Sequence, residues 1–210
     1  MFIVFDGIDG AGKSTQIEML ADWLQSNGHG GGSREVLICK DPGSTELGET
    51  LRSILLGEHD TPIHMRSEMM MFTTARTQLV EQLIRPALAA GTVVILDRYI
   101  LSTVVYQGHA GQLKPEDIWT VNRIATDSLS PDLTFILDIP VETAMQRLGD
   151  TLDRMESRGM EYFQRVRDGF LLEANRKDCG TIQLVDATRS VEEMHAEICG
   201  QTGALLSGDH

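Results

Sequence analysis

A glycine-rich segment near the N-terminus gives the clearest chemical signal in the chain. Residues 7–14 read Gly-Ile-Asp-Gly-Ala-Gly-Lys-Ser, which fits the pattern GxxxxGK[ST]. Glycines let a backbone curl so that its N–H groups point at phosphate oxygens, and a following helix adds partial positive charge. We therefore expect Lys13 to reach the β- and γ-phosphates of a nucleoside triphosphate and the Ser14 hydroxyl to help hold Mg²⁺.

A second polar pair, Asp97 and Arg98, directly follows the apolar run Thr92–Leu96. If that run is a strand beside the one before the glycine loop, both residues lie at the edge of the sheet where the loop begins. Asp97 would then sit where a metal ion or its water shell lies, and the guanidinium of Arg98 would bind phosphate in a bidentate manner. The alternatives are a helix cap for Asp97 and a surface ion pair for Arg98.

Short apolar runs alternate with helical patterns, which predicts an α/β fold in which a parallel sheet positions these residues. The five expected strands are Phe2–Phe5, Val36–Cys39, Thr92–Leu96, Leu133–Ile139 and Thr181–Val185. Helices are expected over 17–24, 47–55, 68–90 with a kink at Pro86, 115–128, 141–148, 160–177 and 191–199. The prediction is one domain over 1–210, a three-layer α/β/α P-loop NTPase fold with a five-stranded parallel sheet and a fraying tail over 200–210.

The charge balance restricts the partners. Lys and Arg number 18 against 31 Asp and Glu, so the formal net charge is −13. Such acidity disfavours a nucleic acid polymer or an anionic membrane surface, although a few local cations can still bind a small anionic ligand. No apolar run approaches the roughly 18 residues of a membrane span. The cysteines at 39, 179 and 199 have no metal-site or paired spacing. We expect a soluble cytoplasmic protein.

Beyond these patterns, the chain resembles the thymidylate kinases, P-loop enzymes that phosphorylate dTMP, over nearly its whole length. The matching segments are 6–15, 41–45, 72–76, 97–99 with Ser102, Tyr106 and Gln107, and 152–156, which is similar to the LDRxE stretch in the lid of bacterial members. The chain has Asp41 where the family usually has Glu before Pro42. Its expected lid, about 147–158, is poorer in arginine than the usual pattern.

The resemblance implies a binding site for dTMP. Phe72 would stack on the thymine ring, Arg76 would hydrogen-bond its edge, and Ser102 and Gln107 would complete base recognition. Tyr106 would lie against the deoxyribose, Asp9 would accept from the 3′-OH or tune the phosphate region, and Pro42 would shape the sugar-facing loop. Arg98, assisted by Arg52, would bind the monophosphate. The main alternative for Phe72 is packing in the core. The main alternative for Arg52 is a solvated position on a helix.

The resemblance also implies a donor site for ATP. Its residues would be Gly7, Ile8, Asp9, Gly10, Ala11, Gly12, Lys13, Ser14, Thr15 and Arg147, the last packing on adenine. A short helical lid would bring Arg154 to the transferring phosphoryl group, with Arg158 a weaker candidate. The catalytic set would be Lys13, Arg98, Arg154 and Asp9, and the metal ligands would be Ser14 and Asp97.

The implied reaction is Mg²⁺-dependent transfer from ATP to dTMP, giving dTDP and ADP, by a homodimer packed through helices such as 68–90. A deoxynucleoside kinase or another nucleoside monophosphate kinase would keep the loop and change the acceptor pocket. A nucleotide switch of the GTPase type is a more distant alternative. For that switch, residues 175–178 only superficially match a guanine-reading motif, because they continue a helical pattern instead of following a strand.

Overall fold

The predicted five-stranded parallel sheet is confirmed. The computed structural model describes residues 1–26, 32–147, 154–155 and 158–207. Its strands are β1 (Phe2–Asp6), β2 (Val36–Lys40), β3 (Val93–Asp97), β4 (Leu133–Asp138) and β5 (Thr181–Asp186). They lie in the order β2-β3-β1-β4-β5, and every neighbouring pair is parallel.

The central strands are buried on both faces, so helices must cover both sides of the sheet. The helices are α1 (Lys13–Gln25), α2 (Glu46–Leu56), α3 (Met65–Leu79), α4 (Arg85–Ala89), α5 (Ile100–Thr103), α6 (Pro115–Ala125), α7 (Val141–Arg147), α8 (Met160–Glu173) and α9 (Val191–Ser207). Within the described ranges, no helix is long and apolar enough to cross a membrane.

Strand register fixes the position of the polar pair after β3. Phe5 pairs with Asp97 across β1 and β3, and Lys40 pairs with Asp97 across β2 and β3. The carboxyl ends of β1, β2 and β3 therefore meet at one edge of the sheet. The glycine loop leaves from β1 at the centre of that edge, where open α/β sheets bind ligands.

The long helix predicted over 68–90 begins earlier and is distorted earlier than expected. It starts at Met65, where the His64 ring accepts a hydrogen bond from the backbone of Arg66, and a π-helical turn covers Val80–Ile84. Pro86 has no N–H for the carbonyl four residues before it and would clash with that turn. The wide turn ahead of Pro86 accommodates both effects, and α4 resumes with Pro86 in its first turn.

Sequence patterns did not predict the helix over residues 100–109. It consists of α5 followed by a π-helical stretch, Val104–His109. Residues 100–108 are all buried, so no polar face interrupts the apolar residues to give a 3.6-residue period. The β-branched residues in this segment also have low intrinsic helix propensity. Packing against the surrounding elements, and not a local sequence pattern, therefore stabilises the helical conformation here.

Three predicted helix ends were wrong. α6 and α8 end at Ala125 and Glu173, before the predicted Ser128 and Lys177, whereas α9 continues from the predicted Cys199 to Ser207. Residues 200–207 are thus helical, and only 208–210 of the expected tail lie outside the described residues. α9 packs against α1, and Thr202 is fully buried in a stretch whose glycines predicted an end.

The core of the sheet gives a stability prediction. Phe135 on β4 is fully buried, with its ring 5.2 Å from that of Phe5. Phe135→Ala should lower the free energy of unfolding by about 3–5 kcal/mol, because it leaves a cavity that neighbours fill incompletely. Leu184→Ala on the exposed side of β5, at a 45% exposed residue, should cost about 1 kcal/mol or less. Equal losses in urea unfolding would contradict the assignment of this core.

Candidate functional site

The glycine loop joins β1 to α1 and directs its polar groups into one cavity. The Lys13 ammonium donates to the carbonyl oxygens of Gly7 and Ile8, at 3.2 and 3.1 Å. α1 has no acidic residue in its first turn, so its N-terminal N–H groups and positive dipole end remain suited to an anion. Gly10 has φ +81°, and a Cβ there would lie 2.6 Å from the Ala144 carbonyl oxygen, so this turn requires glycine.

Arg98 connects β3 to the glycine loop. Its guanidinium donates to Asp9 at 2.6 Å, to the Gly7 carbonyl at 3.0 Å and to the Ser102 hydroxyl at 3.0 Å. It also lies over the Tyr106 ring, 5.1 Å from the centroid. Arg98 adopts φ 69°, a left-handed conformation that costs a non-glycine residue about 1 kcal/mol. That turn directs the side chain back over the loop.

The charges around the loop shift one another's proton affinity. Burial alone would raise the pKa of Asp9, but the cations Arg98 and Lys13 lower it to about 2. Burial, with the neighbouring Arg98 charge, lowers the pKa of Lys13. Burial alone would lower the pKa of Arg98, but Asp9 together with Tyr106, Asp97 and Asp6 outweighs it and holds that pKa above the ordinary value. Asp9 and Arg98 are therefore a permanent ion pair at neutral pH.

Asp6 is the last residue of β1 and is fully buried. One carboxylate oxygen accepts from the Ser102 hydroxyl, which itself accepts from Arg98, while the other oxygen has no hydrogen-bond partner in the described chain. Burial raises the pKa of Asp6 to about 7 despite the nearby cations. The two hydrogen bonds that link Asp6 to Ser102 and Ser102 to Arg98 help to orient the guanidinium.

The glycine loop forms one wall of a cavity of about 1000 Å³, which we call the phosphate cavity. Among its lining residues are seven of the ten predicted for ATP: Asp9, Gly10, Gly12, Lys13, Ser14, Thr15 and Arg147. Gly7, Ile8 and Ala11 are not in the lining, because Ile8 and Ala11 are buried beneath the loop and Gly7 faces Lys13 and Arg98 with its carbonyl.

A second cavity of about 550 Å³, the acceptor cavity, adjoins the first. All nine residues predicted to bind dTMP line it: Asp9, Pro42, Arg52, Phe72, Arg76, Arg98, Ser102, Tyr106 and Gln107. Asp9, Asp41, Arg52 and Arg98 line both cavities. The mixture of apolar walls with a few polar groups suits a small organic ligand.

Arg76 is the most strongly constrained polar group of the acceptor cavity. It is 1% exposed and donates to Asp41, to the Asn122 side chain, to the Tyr99 carbonyl at 3.2 Å and to the Thr103 hydroxyl at 2.8 Å. These four bonds fix the guanidinium plane and use four of its five N–H donors. One N–H on Nη1 is left for a ligand.

Arg52 lies at the junction of the two cavities. Arg52 is carried by α2 and donates from Nη1 to the Pro42 carbonyl oxygen at 3.1 Å. Its position is therefore fixed both by α2 and by the segment that follows β2. It is half-buried and lines both spaces. The geometry thus favours a ligand-facing position over the solvated helix position that was the alternative.

Ser14 and Asp97 fit the binding of Mg²⁺. Both line the phosphate cavity, and the buried Oδ1 of Asp97 has no hydrogen-bond partner among the described residues. Hydroxyl and carboxylate oxygens are suitable ligands, and Mg²⁺ usually takes its remaining ligands from water and phosphate. The described residues contain no group of three or more His, Cys, Asp or Glu that could hold a metal alone. A metal here would therefore depend on a bound phosphate.

Of the three lid arginines that the structure describes, Arg147 and Arg154 lie in different places, and Arg158 joins Arg154 on Glu68. Arg147, at the end of α7, approaches the Gly10 and Ala187 carbonyls at 3.4 Å each and lines the phosphate cavity. Arg154 donates to the Leu55 carbonyl and to Glu68, both at 2.7 Å, and does not line that cavity. Its contact with a transferring phosphoryl group is not formed here. The rest of the lid, residues 148–153 and 156–157, lies outside the described residues.

Several lining residues were missed by sequence reasoning. Asp41, Leu56, Thr103 and Met155 line the acceptor cavity, and Asn122 supports Arg76 from α6. Thr103 follows Ser102 on the helix that was not predicted, so no sequence pattern indicated that its side chain would face the cavity. Asp41 was visible next to Pro42 but was treated only as a substitute for a family glutamate.

The comparisons with known proteins agree on one family. A family model described as "Thymidylate kinase" matches residues 5–198. A thymidylate kinase from Rhodopirellula baltica is 45% identical over 192 residues, covering 91% of this chain and 76% of the relative. One from Thermosipho africanus is 42% identical over 199 residues, covering 94% of this chain and 95% of the relative.

A solved structure is also similar throughout. The crystal structure of thymidylate kinase from Ehrlichia chaffeensis matches with a TM-score of 0.77 at 29% identity, covering 96% of this chain and 98% of that one. The similarity in fold thus extends over nearly the whole of both chains.

The buried carboxyl of Asp6 predicts a pH-dependent stability. Its pKa is about 7 when folded, against an ordinary value of 3.8, so the folded state retains a proton that the unfolded state releases. The stability from this group is complete below about pH 4 and is lost as pH rises through about 7. Asp6→Asn keeps an acceptor for Ser102 and removes the titration. Its melting temperature relative to the unmodified chain should therefore rise between pH 5 and pH 8.

The matched control is Asp22→Asn at an exposed position on α1, which should show no such change between the two pH values. A constant difference between Asp6→Asn and the unmodified chain from pH 5 to pH 8 would contradict a raised pKa of Asp6.

Proposed function

The chain belongs to the thymidylate kinase family, and on that premise we propose that it transfers the γ-phosphoryl group of ATP to the 5′-phosphate of dTMP, giving dTDP and ADP. The observation that carries this proposal is the pair of adjoining cavities that share Asp9, Asp41, Arg52 and Arg98. Phosphoryl transfer requires the attacking and leaving oxygens to lie in line. Two nucleotides with their phosphates directed at the shared residues would meet in that arrangement.

The thymine base belongs in the acceptor cavity under this proposal. Phe72 supplies an apolar platform on which an aromatic ring stacks. The remaining N–H of Arg76 is a fixed donor for a ring carbonyl, and Gln107 supplies a second polar group. Ser102, whose hydroxyl is occupied by Asp6 and Arg98, completes the wall.

The sugar and the 5′-phosphate of dTMP would lie toward the junction of the cavities. The Tyr106 hydroxyl lies 3.3 Å from Arg98 and 3.4 Å from Asp9, which places it beside the two residues proposed to meet the phosphate and the sugar. Its ring would lie against the deoxyribose, where its bulk would disfavour a 2′-OH. Asp9 accepts from the 3′-OH, and Pro42 shapes the loop beside the sugar. Arg98 and Arg52 bind the 5′-phosphate, since guanidinium groups suit phosphate oxygens in bidentate geometry.

The phosphate cavity would hold the triphosphate of ATP. The loop N–H groups of residues 7–15 surround the phosphates, and Lys13 leaves the carbonyls of Gly7 and Ile8 for the β- and γ-phosphate oxygens. Arg147 packs on the adenine ring. Ser14 and Asp97 would hold Mg²⁺, which neutralises charge on the phosphate oxygens when bound.

The chemistry itself needs alignment and charge neutralisation. The 5′-phosphate of dTMP is already ionised near neutral pH, since its second pKa is about 6, so no strong general base is required. One of its oxygens forms a bond to the γ-phosphorus as the bond to the β-bridging oxygen breaks, and ADP carries away that electron pair. Lys13 and Arg98 stabilise the charge on the transferring group and its neighbours. A contact from Arg154 to this group stays a prediction.

We further propose a cytoplasmic homodimer. The proposal that helices form the contact is supported by exposed apolar side chains on neighbouring helices, namely Leu47 and Ile54 on α2, Met70 on α3 and Ile124 on α6. The three cysteines are free thiols, which suits a reducing compartment.

An acceptor panel tests the reaction. ADP release, measured with ATP and Mg²⁺, should be fastest with dTMP among dTMP, dUMP, dCMP, AMP and thymidine, and removal of Mg²⁺ with a chelator should abolish it. Preference for thymidine would indicate a deoxynucleoside kinase, and acceptor-independent GTP hydrolysis would indicate a switch. Either result would replace the proposed function.

Arg98 gives the sharpest mutational prediction for the reaction. Arg98→Ala removes the bidentate contact to the 5′-phosphate and should lower kcat/KM for dTMP by about 10²- to 10³-fold, while ATP binding stays largely intact. Arg85→Ala is the matched control, since Arg85 lines neither cavity and bonds Glu81 and the Thr126 carbonyl. Turnover in Arg98→Ala equal to that of the control would contradict the role of Arg98.

A further inference from the structure

A buried carboxylate behind the acceptor cavity has no role in the reaction described above. Glu68, in the first turn of α3, is 0% exposed. Its Oε1 accepts from the Gln107 side-chain amide at 2.9 Å, and its Oε2 accepts from Arg154 at 2.7 Å and Arg158 at 2.6 Å. Three donors from two other parts of the chain therefore converge on one carboxylate that does not itself line the acceptor cavity.

Gln107 links this carboxylate to the cavity. Its side chain lines the acceptor cavity, and its Nε2 end is turned away toward Glu68. An ionised carboxylate only accepts hydrogen bonds, so the amide must present its NH₂ group to Glu68. The amide oxygen has no hydrogen-bond partner among the described residues and is the end left for a ligand.

We propose that Glu68 is a positioning residue that sets base selectivity by fixing the orientation of the Gln107 amide. An oxygen facing the cavity accepts from a ring N–H, which thymine and uracil have at N3. Cytosine has an unprotonated N3, whose lone pair would face the amide oxygen without a hydrogen. The inference rests on the proposed function, because it takes the acceptor cavity as the base site.

The two arginines make this arrangement possible. A carboxylate buried without a partner is costly, and Arg154 and Arg158 supply the compensating charge on Oε2. Arg158 also donates to the Tyr162 hydroxyl, which donates to the Tyr106 carbonyl next to Gln107. Glu68 is thus held from one side by cations and fixes Gln107 on the other.

Glu68→Gln tests the proposal because the arginines dictate which way the new amide faces. Its oxygen must face Arg154 and Arg158, so its NH₂ group faces Gln107, whose own amide must then turn over. Gln107 would present N–H donors to the cavity, which mismatch the N3–H of thymine and match the N3 of cytosine. The ratio of kcat/KM for dTMP to that for dCMP should fall by about 10- to 100-fold.

The ratio for dTMP to dUMP supplies an internal control. Both bases carry the same N3–H, so Glu68→Gln should leave this second ratio unchanged even as it lowers activity with each. Glu68→Asp keeps an acceptor-only carboxylate and should keep the dTMP to dCMP ratio close to that of the unmodified chain. Arg158→Gln removes one ion pair to Glu68 and leaves the hydrogen bond between Glu68 and Gln107 in place. It should therefore also keep the dTMP to dCMP ratio close to that of the unmodified chain.

The outcomes separate the two proposals. If the unmodified chain does not phosphorylate dTMP, the proposed function fails and this inference fails with it. If it does, and Glu68→Gln keeps the dTMP to dCMP ratio or lowers activity with all three nucleotides equally, only the role of Glu68 is overturned. Should thermal unfolding show that Glu68→Gln does not fold, Gln107→Leu replaces it: an unchanged ratio in that variant overturns the inference, and a lowered ratio supports it.

Discussion

The ion pair between Arg98 and Asp9 sets the boundary between the two cavities of the site. It joins the end of β3 to the loop after β1, at the edge where register already brings Asp97 beside Phe5. Each charge keeps the other ionised in a poorly solvated place, so the pair persists at neutral pH. Because both residues line both cavities, the same contact that closes the sheet edge also sets the boundary at which two nucleotides would meet. A phosphate arriving at this boundary would take part of Arg98 away from Asp9, which frees the carboxylate to accept from a sugar hydroxyl.

The acidity of the chain and its proposed anionic substrates are compatible for the same reason. A net charge of −13 describes the surface, whereas the site gathers cations locally. Lys13, Arg52 and Arg98 lie at the junction or the loop, and Arg76 lies at the base end. Each is tied to a carboxylate or a backbone carbonyl, so these cations are fixed before a ligand arrives. A cation already held beside the site needs only to exchange a carbonyl or carboxylate partner for a phosphate oxygen in order to stabilise a developing charge.

The strands and the glycine loop were predictable from the sequence because their signals are local. Short apolar runs predicted all five strands to within a residue or so at each end, and one motif predicted the loop. The helix that carries Ser102 and Tyr106 was not predictable, because a segment buried on every side has no amphipathic period. The resemblance to a family named the lining residues without their supports: Asn122 and Glu68 lie behind the cavity and gave no motif. The position of Arg154 depends on a tertiary contact with Glu68 that sequence spacing does not encode.

The central claim is that the acceptor phosphate binds at Arg98, between the two cavities. The most direct measurement is a crystal structure of the chain with dTMP bound. We expect the 5′-phosphate within hydrogen-bond distance of the Arg98 guanidinium, with the thymine ring against Phe72 inside the acceptor cavity. A dTMP molecule whose phosphate contacts only the glycine loop, with Arg98 still bound to Asp9 and the base outside that cavity, would contradict the account.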